Sequence, residues 1–120
     1  MAPNPAQVAE TPEDLLTDPI AWFFAEHQRH RQVCDLMQRA AMASTFEEEV
    51  IGWLLDFIVN ELALHVLDEE EDLFPLMRRR AQPEDGLETI LGRLSLEHAK
   101  DLTRAAAVRH HLETCLRQGV

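Results

Sequence analysis

The sequence has little of what β-sheet proteins and disulfide-stabilised proteins use. Its 120 residues include no tyrosine, four glycines and two cysteines, and aromatic residues make up 6% of the chain. Ala, Leu, Glu and Arg are abundant instead, and these residues favour helices over strands. Cys34 and Cys115 are a poor disulfide framework, and without an export signal they are better interpreted as reduced thiols. The composition therefore predicts an all-α protein of the cytoplasm.

Positive charge is also scarce. Eleven Lys and Arg residues stand against twenty-two Asp and Glu residues, which gives a formal net charge of −11. Such a chain repels nucleic acid and anionic lipid and attracts cations. The longest apolar run, residues 51–59, is interrupted by Asp56 and falls short of the roughly 20 residues of a membrane span. We expect no nucleic-acid partner and no membrane partner.

Several catalytic motifs are missing from the sequence. It has no Gly-x-Ser-x-Gly, no phosphate loop and no His-Glu-x-x-His, so serine hydrolases and zinc proteases are disfavoured. Glu-x-x-His is absent as well, which disfavours a ferritin-like oxidase. The sequence leaves open whether the protein is an enzyme.

Three segments have helical periodicity, at about 19–43, 46–80 and 87–117. Thr17 or Asp18 can cap the first helix before Pro19, and Pro75 is expected to kink the second. Residues 1–16 lack the basic start and apolar run of a signal peptide, and their prolines predict a mobile tail. The sequence thus predicts one helical domain over residues 17–120.

Each predicted helix places histidine on its apolar side. At about 100° per residue, His65 and Glu69 share the apolar stripe of the second helix, and His98 lies at the centre of the third. Burial of an unpaired imidazole or carboxylate costs on the order of several kcal/mol of stability. A cation bound by all of these side chains would compensate that cost. The alternative is that each histidine is a hydrogen-bonded core residue. The candidate metal ligands are His27, His65, Glu69 and His98.

Acidic side chains near these histidines are candidates for orienting them. In the run 68–72, Glu69 and Asp72 are predicted to face inward, and Glu70 and Glu71 to face solvent. Glu61 and Asp101 lie one turn from His65 and His98. Each is either a hydrogen-bond acceptor for an imidazole or a boundary charge.

Three motifs carry a family resemblance. The segments FFAEHQRHRQVCDL, LALHVLDEEEDLFPLMRRR and LSLEHAKDL resemble, in order, the first three helices of hemerythrin-like, or HHE cation-binding, domains. The resemblance implies an up-down four-helix bundle around non-haem iron, with two irons in a complete site and Zn or Mn as alternatives. It implies His27, His65 and His98 as iron ligands and Glu69 as a bridging carboxylate.

The doubled motif EHQRHR is similar to di-iron proteins of iron–sulfur repair and nitric-oxide stress. This similarity implies that His30 orients a ligand and that Arg31 pairs with a carboxylate. We therefore expect a domain that binds or senses O2 or NO, or handles iron, under oxidative or nitrosative stress. The rival hypothesis is a metal-free helical interaction or oligomerisation module with core histidines.

The resemblance departs from the family at the fourth helix, which the sequence does not supply. His110 and His111 do not replace it, because they lie about 120° and 220° around the third helix from His98. Either another segment or a second subunit would complete the bundle. An apolar stripe left uncovered predicts a homo-oligomer.

Overall fold

Three long helices make up most of the chain. A computed structural model describes residues 3–120, apart from the side chain of Leu16, and no strand occurs in this described part. Helix α1 is Pro19–Met42, and helix α3 is Leu87–Gln118. Between them, helix α2 runs continuously over Glu48–Arg80. Every predicted helix end lies within two residues of the observed one.

Local sequence explains where the helices begin. Asp18, rather than Thr17, caps α1: its Oδ1 accepts a hydrogen bond from the backbone N–H of Ala21 at 3.2 Å, and Pro19 occupies the first helical position. The turn before α3 contains Gly86 at a φ of 64°, which L side chains rarely adopt. In the same turn, the backbone N–H of Gln82 donates to Asp85 Oδ2 at 2.7 Å.

Helix α2 is interrupted twice by π-helical turns, at Phe57–Leu62 and at Glu69–Leu73. At the second, the backbone N–H of Phe74 donates to the carbonyl of Glu69, five residues back. Pro75 follows directly, and it has no N–H and would clash with the carbonyl four residues earlier in a regular α-helix. The structure has this wider turn directly before Pro75, and the kink that the sequence predicts there stays a prediction.

The chain divides into two compact units. The first comprises residues 1–56 and 112–120, and its α1 packs against the first α-helical part of α2, Glu48–Asp56. Apolar side chains from these helices, from the segment before α1 and from the end of α3 form its buried core. The members of this core are Val8, Phe23, Val33, Leu36, Val50, Leu54 and Leu112.

The segment before α1 contacts that helix within the first unit. Gln32 Oε1 accepts from the backbone N–H of Ala9 at 2.8 Å, and Arg29 donates to the carbonyl of Ala9 at 2.7 Å. The segment contains two short 3-10 turns, and Val8 is buried. These contacts lie in the region predicted as a mobile tail, whose mobility stays a prediction.

The second unit comprises residues 57–111. Phe57, Ile58, Phe74 and Leu91 are its buried apolar side chains, and Phe74 and Leu91 are almost fully enclosed. His65 and Glu69 are buried in the same unit. This unit therefore places an imidazole and a carboxylate where burial of polar groups is costly.

By length and composition alone, α2 could cross a membrane, although Asp56 interrupts its longest apolar run. Core helices of soluble proteins have the same length and composition. In the most apolar 18-residue stretch of this helix, 28% is buried within the described part of the chain. Among its large apolar side chains, Leu64 and Leu67 are exposed, at 57% and 48%.

Candidate metal centre

The buried pair His65 and Glu69 is the centre of the candidate site. Among residues 3–120, these two are the polar or charged residues that are fully buried, each 6% exposed. They lie one helical turn apart, and His65 Nε2 contacts Glu69 Oε1. Spacing of four residues on a helix puts both side chains on one face, as predicted from the sequence.

His98 reaches the same carboxylate from α3. Its side chain is 15% exposed, and its Nε2 lies 3.1 Å from Glu69 Oε2. The two oxygens of Glu69 therefore face two different imidazole nitrogens, one from each helix. The structure brings together three of the four predicted ligands, His65, Glu69 and His98, within the second unit.

Two further side chains fix the His98 ring. Glu70 Oε1 lies 2.8 Å from His98 Nδ1, and Ser95 Oγ donates to Glu70 Oε2 at 2.9 Å. The ring of Phe74 stacks on His98 with centroids 5.9 Å apart and planes inclined by 7°. The prediction that Glu70 faces solvent is therefore wrong, and the sequence analysis missed both Glu70 and Ser95.

The π-helical turn explains this error. A π-helix turns by about 82° per residue rather than the α-helical value of about 100°. Counted from Glu69, the smaller step rotates Glu70 toward the buried side and Asp72 away from it. Asp72 is exposed, against the prediction that it faces inward, and Glu71 is exposed as predicted.

On α1, the buried side differs from the predicted one. Its buried residues are Phe23, Val33 and Leu36, and the last two lie about 120° and 180° around the helix from His27. His27, predicted to lie on the apolar side, is exposed, and so is Cys34, whereas His30 is half-buried as an apolar-side position should be. The His27 and His30 ring centroids lie 6.5 Å apart.

The sequence analysis also missed Glu26. Glu26 and His30 lie one turn apart on α1, and their carboxylate oxygen and imidazole nitrogen lie within 4.8 Å of each other. Their Glu-x-x-x-His spacing is the reverse of the His-x-x-x-Glu spacing of His65 and Glu69. That symmetry of spacing was the available signal in the sequence.

Three residues predicted to support the ligands make other contacts or are exposed. Arg31 donates to Gln28 Oε1 on its own helix at 2.8 Å, where a carboxylate partner was expected. Asp101 is exposed and accepts from Arg104 at 3.2 Å. Glu61 is exposed. A role for Glu61 or Asp101 in orienting a histidine stays a prediction.

Comparison with protein families agrees with this geometry. The family model described as hemerythrin HHE cation-binding domain matches residues 18–117, which is most of the chain. The chain belongs to the hemerythrin family. Neither a curated protein nor a solved structure matches it significantly. Membership confirms the predicted fold class, an all-α helical bundle of hemerythrin type.

As a hemerythrin-family domain, the chain is a cation-binding domain. Its donor set suits a metal, since imidazole nitrogens and carboxylate oxygens bind iron, zinc and manganese. The electrostatics of the second unit suit one as well. Both ring nitrogens of His98 face carboxylate oxygens, and Nδ1 lies closer to Glu70 Oε1, at 2.8 Å, than Nε2 lies to Glu69 Oε2, at 3.1 Å, so a ring with one proton places it best on Nδ1. In a neutral ring with its proton on Nδ1, the Nε2 lone pair faces Glu69 Oε2, so two electron-donating atoms lie next to each other. A cation between them would bind both atoms.

Proposed function

We propose that this domain binds non-haem iron, with two irons in a complete site. The main support for this proposal is the buried carboxylate of Glu69, whose two oxygens face different imidazole nitrogens. Glu69, shared between the imidazoles of His65 and His98, would hold metal together with them. Its burial also supports this reading, because an ionised side chain in this position needs compensating positive charge.

The ligands in this proposal are His65, Glu69 and His98, together with His27, which enters from the family motif in α1. Glu26 and His30 offer a further carboxylate and imidazole on that helix. Iron is favoured by the family resemblance, and zinc and manganese are the alternatives. The donors are all nitrogen and oxygen, whereas structural zinc sites commonly use cysteine.

Iron held by nitrogen and oxygen ligands would supply the chemistry for binding O2 or NO. We propose that binding or sensing of one of these gases, or iron handling under oxidative or nitrosative stress, is the role of the domain in the cytoplasm. Iron would supply the redox chemistry. The side chains of the second unit would hold the metal and exclude water from it.

The first test is metal content. Protein purified without chelators should contain iron close to two atoms per complete site by elemental analysis, and the reduced protein should change its absorption spectrum when NO is added. His111→Ala removes an exposed histidine of α3 and should leave both results unchanged. Absence of metal from a folded, helical wild type would contradict the proposal and favour the metal-free interaction module.

We also propose that the domain forms a homo-oligomer through exposed apolar side chains. Leu102, on the side of α3 that carries His98, is 42% exposed, and Leu64 and Leu67 of α2 are 57% and 48% exposed. Leu102→Asp should therefore lower the molar mass measured by light scattering, because it places a charge in an apolar contact. Ala107→Asp, an equal charge at an exposed position of α3, should not. A monomeric wild type would contradict the proposal.

A further inference from the structure

Both carboxylate oxygens of Glu70 contact side chains of α3, one of which is the proposed ligand His98. Glu70 lies next to Glu69 in the π-helical turn, and it is half-buried. One carboxylate oxygen contacts His98 Nδ1 at 2.8 Å, and the other accepts from Ser95 Oγ at 2.9 Å. Ser95 lies on the same helix as His98, three residues earlier, so the carboxylate is held at both oxygens by α3.

These contacts determine which ring nitrogen of His98 carries the proton. A neutral imidazole has one N–H donor and one acceptor, and an ionised carboxylate accepts only. Both nitrogens face a carboxylate, but Nδ1 has the shorter contact, 2.8 Å to Glu70 against 3.1 Å from Nε2 to Glu69, so in a neutral ring Glu70 favours the form with the proton on Nδ1. The lone pair of Nε2 is then directed toward Glu69, where Nε2 and Oε2 lie 3.1 Å apart. Stacking on Phe74 fixes the plane of the ring at the same time.

We propose that Glu70, held by Ser95, is a positioning residue that keeps the Nε2 lone pair of His98 available to a metal ion. This inference rests on the proposed metal-binding function. Partners of this kind orient ligand histidines, and their loss typically weakens metal affinity by about 10- to 100-fold. Removal of Glu70 should thus weaken metal binding although Glu70 itself does not bind the metal.

The alternative is that Glu70 acts only through its negative charge. Three substitutions separate the two explanations. Glu70→Ala removes both charge and acceptor. Glu70→Gln removes the charge but keeps an amide oxygen that can accept from His98 Nδ1. Glu71→Ala removes an equal charge from the exposed neighbouring position. Charge alone would make Glu70→Ala and Glu70→Gln similar, whereas positioning would affect Glu70→Ala most.

The experiment has two readouts, and circular dichroism should first establish that each variant is helical. The first readout is the histidine tautomer in metal-free protein at about pH 8, where ordinary imidazole is neutral. Long-range nitrogen–proton NMR correlations, with His98 assigned from His98→Gln, should find the proton on Nδ1 in wild type and in Glu70→Gln. Glu70→Ala should gain the form protonated on Nε2.

The second readout is the dissociation constant for ferrous iron, measured anaerobically. We expect it to rise by about 10- to 100-fold in Glu70→Ala, to rise much less in Glu70→Gln, and to stay unchanged in Glu71→Ala. A wild-type His98 protonated on Nε2 would overturn the positioning role, and so would equal affinities of Glu70→Ala and wild type. Failure of wild type to bind any metal would instead overturn the proposed function. The two failures can be distinguished, because the tautomer is measured in metal-free protein.

Discussion

His65→Ala is expected to abolish metal binding and to remove the stabilisation that metal confers on the wild type. His65 is 6% exposed and contacts the carboxylate at the centre of the site. Loss of its nitrogen leaves Glu69 with an imidazole at one oxygen only. Alanine is the best helix former, so α2 should keep its helical conformation around the substitution.

The measurement is thermal unfolding with and without added ferrous iron. A ligand that binds only the folded state at about 100 times its dissociation constant stabilises by about 2.7 kcal/mol, which corresponds to a rise in Tm of roughly 10 °C for a domain of this size. We expect this rise in wild type and in the control His111→Ala, and no rise in His65→Ala. An equal rise in His65→Ala would exclude His65 as a ligand.

Constant helical periodicity predicted the directions of these side chains well where the backbone is regular. His65 and Glu69 lie one turn apart on α2, and the four-residue spacing places them on the same face whether or not the rest of the helix is regular. His98 lies on α3, which is one uninterrupted α-helix, so its predicted position on the apolar side also agrees with the structure. These three residues could be found from the sequence because their spacing determines their direction.

The same arithmetic failed where the backbone departs from regular geometry. The π-helical turn Glu69–Leu73 rotates Glu70 toward α3 and Asp72 toward solvent. Pro75 is a visible cause of irregularity in the sequence, but proline can produce either a kink or a wider turn. Its effect on the direction of each preceding side chain could not be calculated in advance.

On α1, the error has a different cause. Arg29 is half-buried and places its guanidinium 5.7 Å from the ring centroid of Trp53, within the first unit. Long charged side chains can cover apolar surface with their aliphatic stems, so a polar residue type does not identify the exposed side of a helix. The apolar residues Ile20 and Phe24 are exposed instead. Hydropathy therefore misplaced part of the buried side of α1, whereas the assignment of His27 as a ligand stays a prediction.

The last prediction concerns the sign of a stability change. Glu69→Gln is expected to weaken iron binding by at least about 100-fold, since it removes the charge between the two imidazoles. In metal-free protein at about pH 8, we expect the same substitution to stabilise the fold by about 1 kcal/mol. The amide oxygen can accept from His65 Nε2, and the amide N–H can donate to the Nε2 lone pair of His98. The carboxylate offers that lone pair no donor.

Urea unfolding of metal-free protein measures this change, with Glu71→Gln as the control. Both substitutions remove one negative charge, and Glu and Gln have similar helix propensities, so the control should stay within about 0.5 kcal/mol of wild type. A gain in stability together with lost iron binding would mean that Glu69 is retained for metal at a cost to the empty fold. A loss of about 1 kcal/mol or more would mean that both imidazoles donate to Glu69 without metal. That result would contradict the tautomer inferred for His98 and favour a metal-free core.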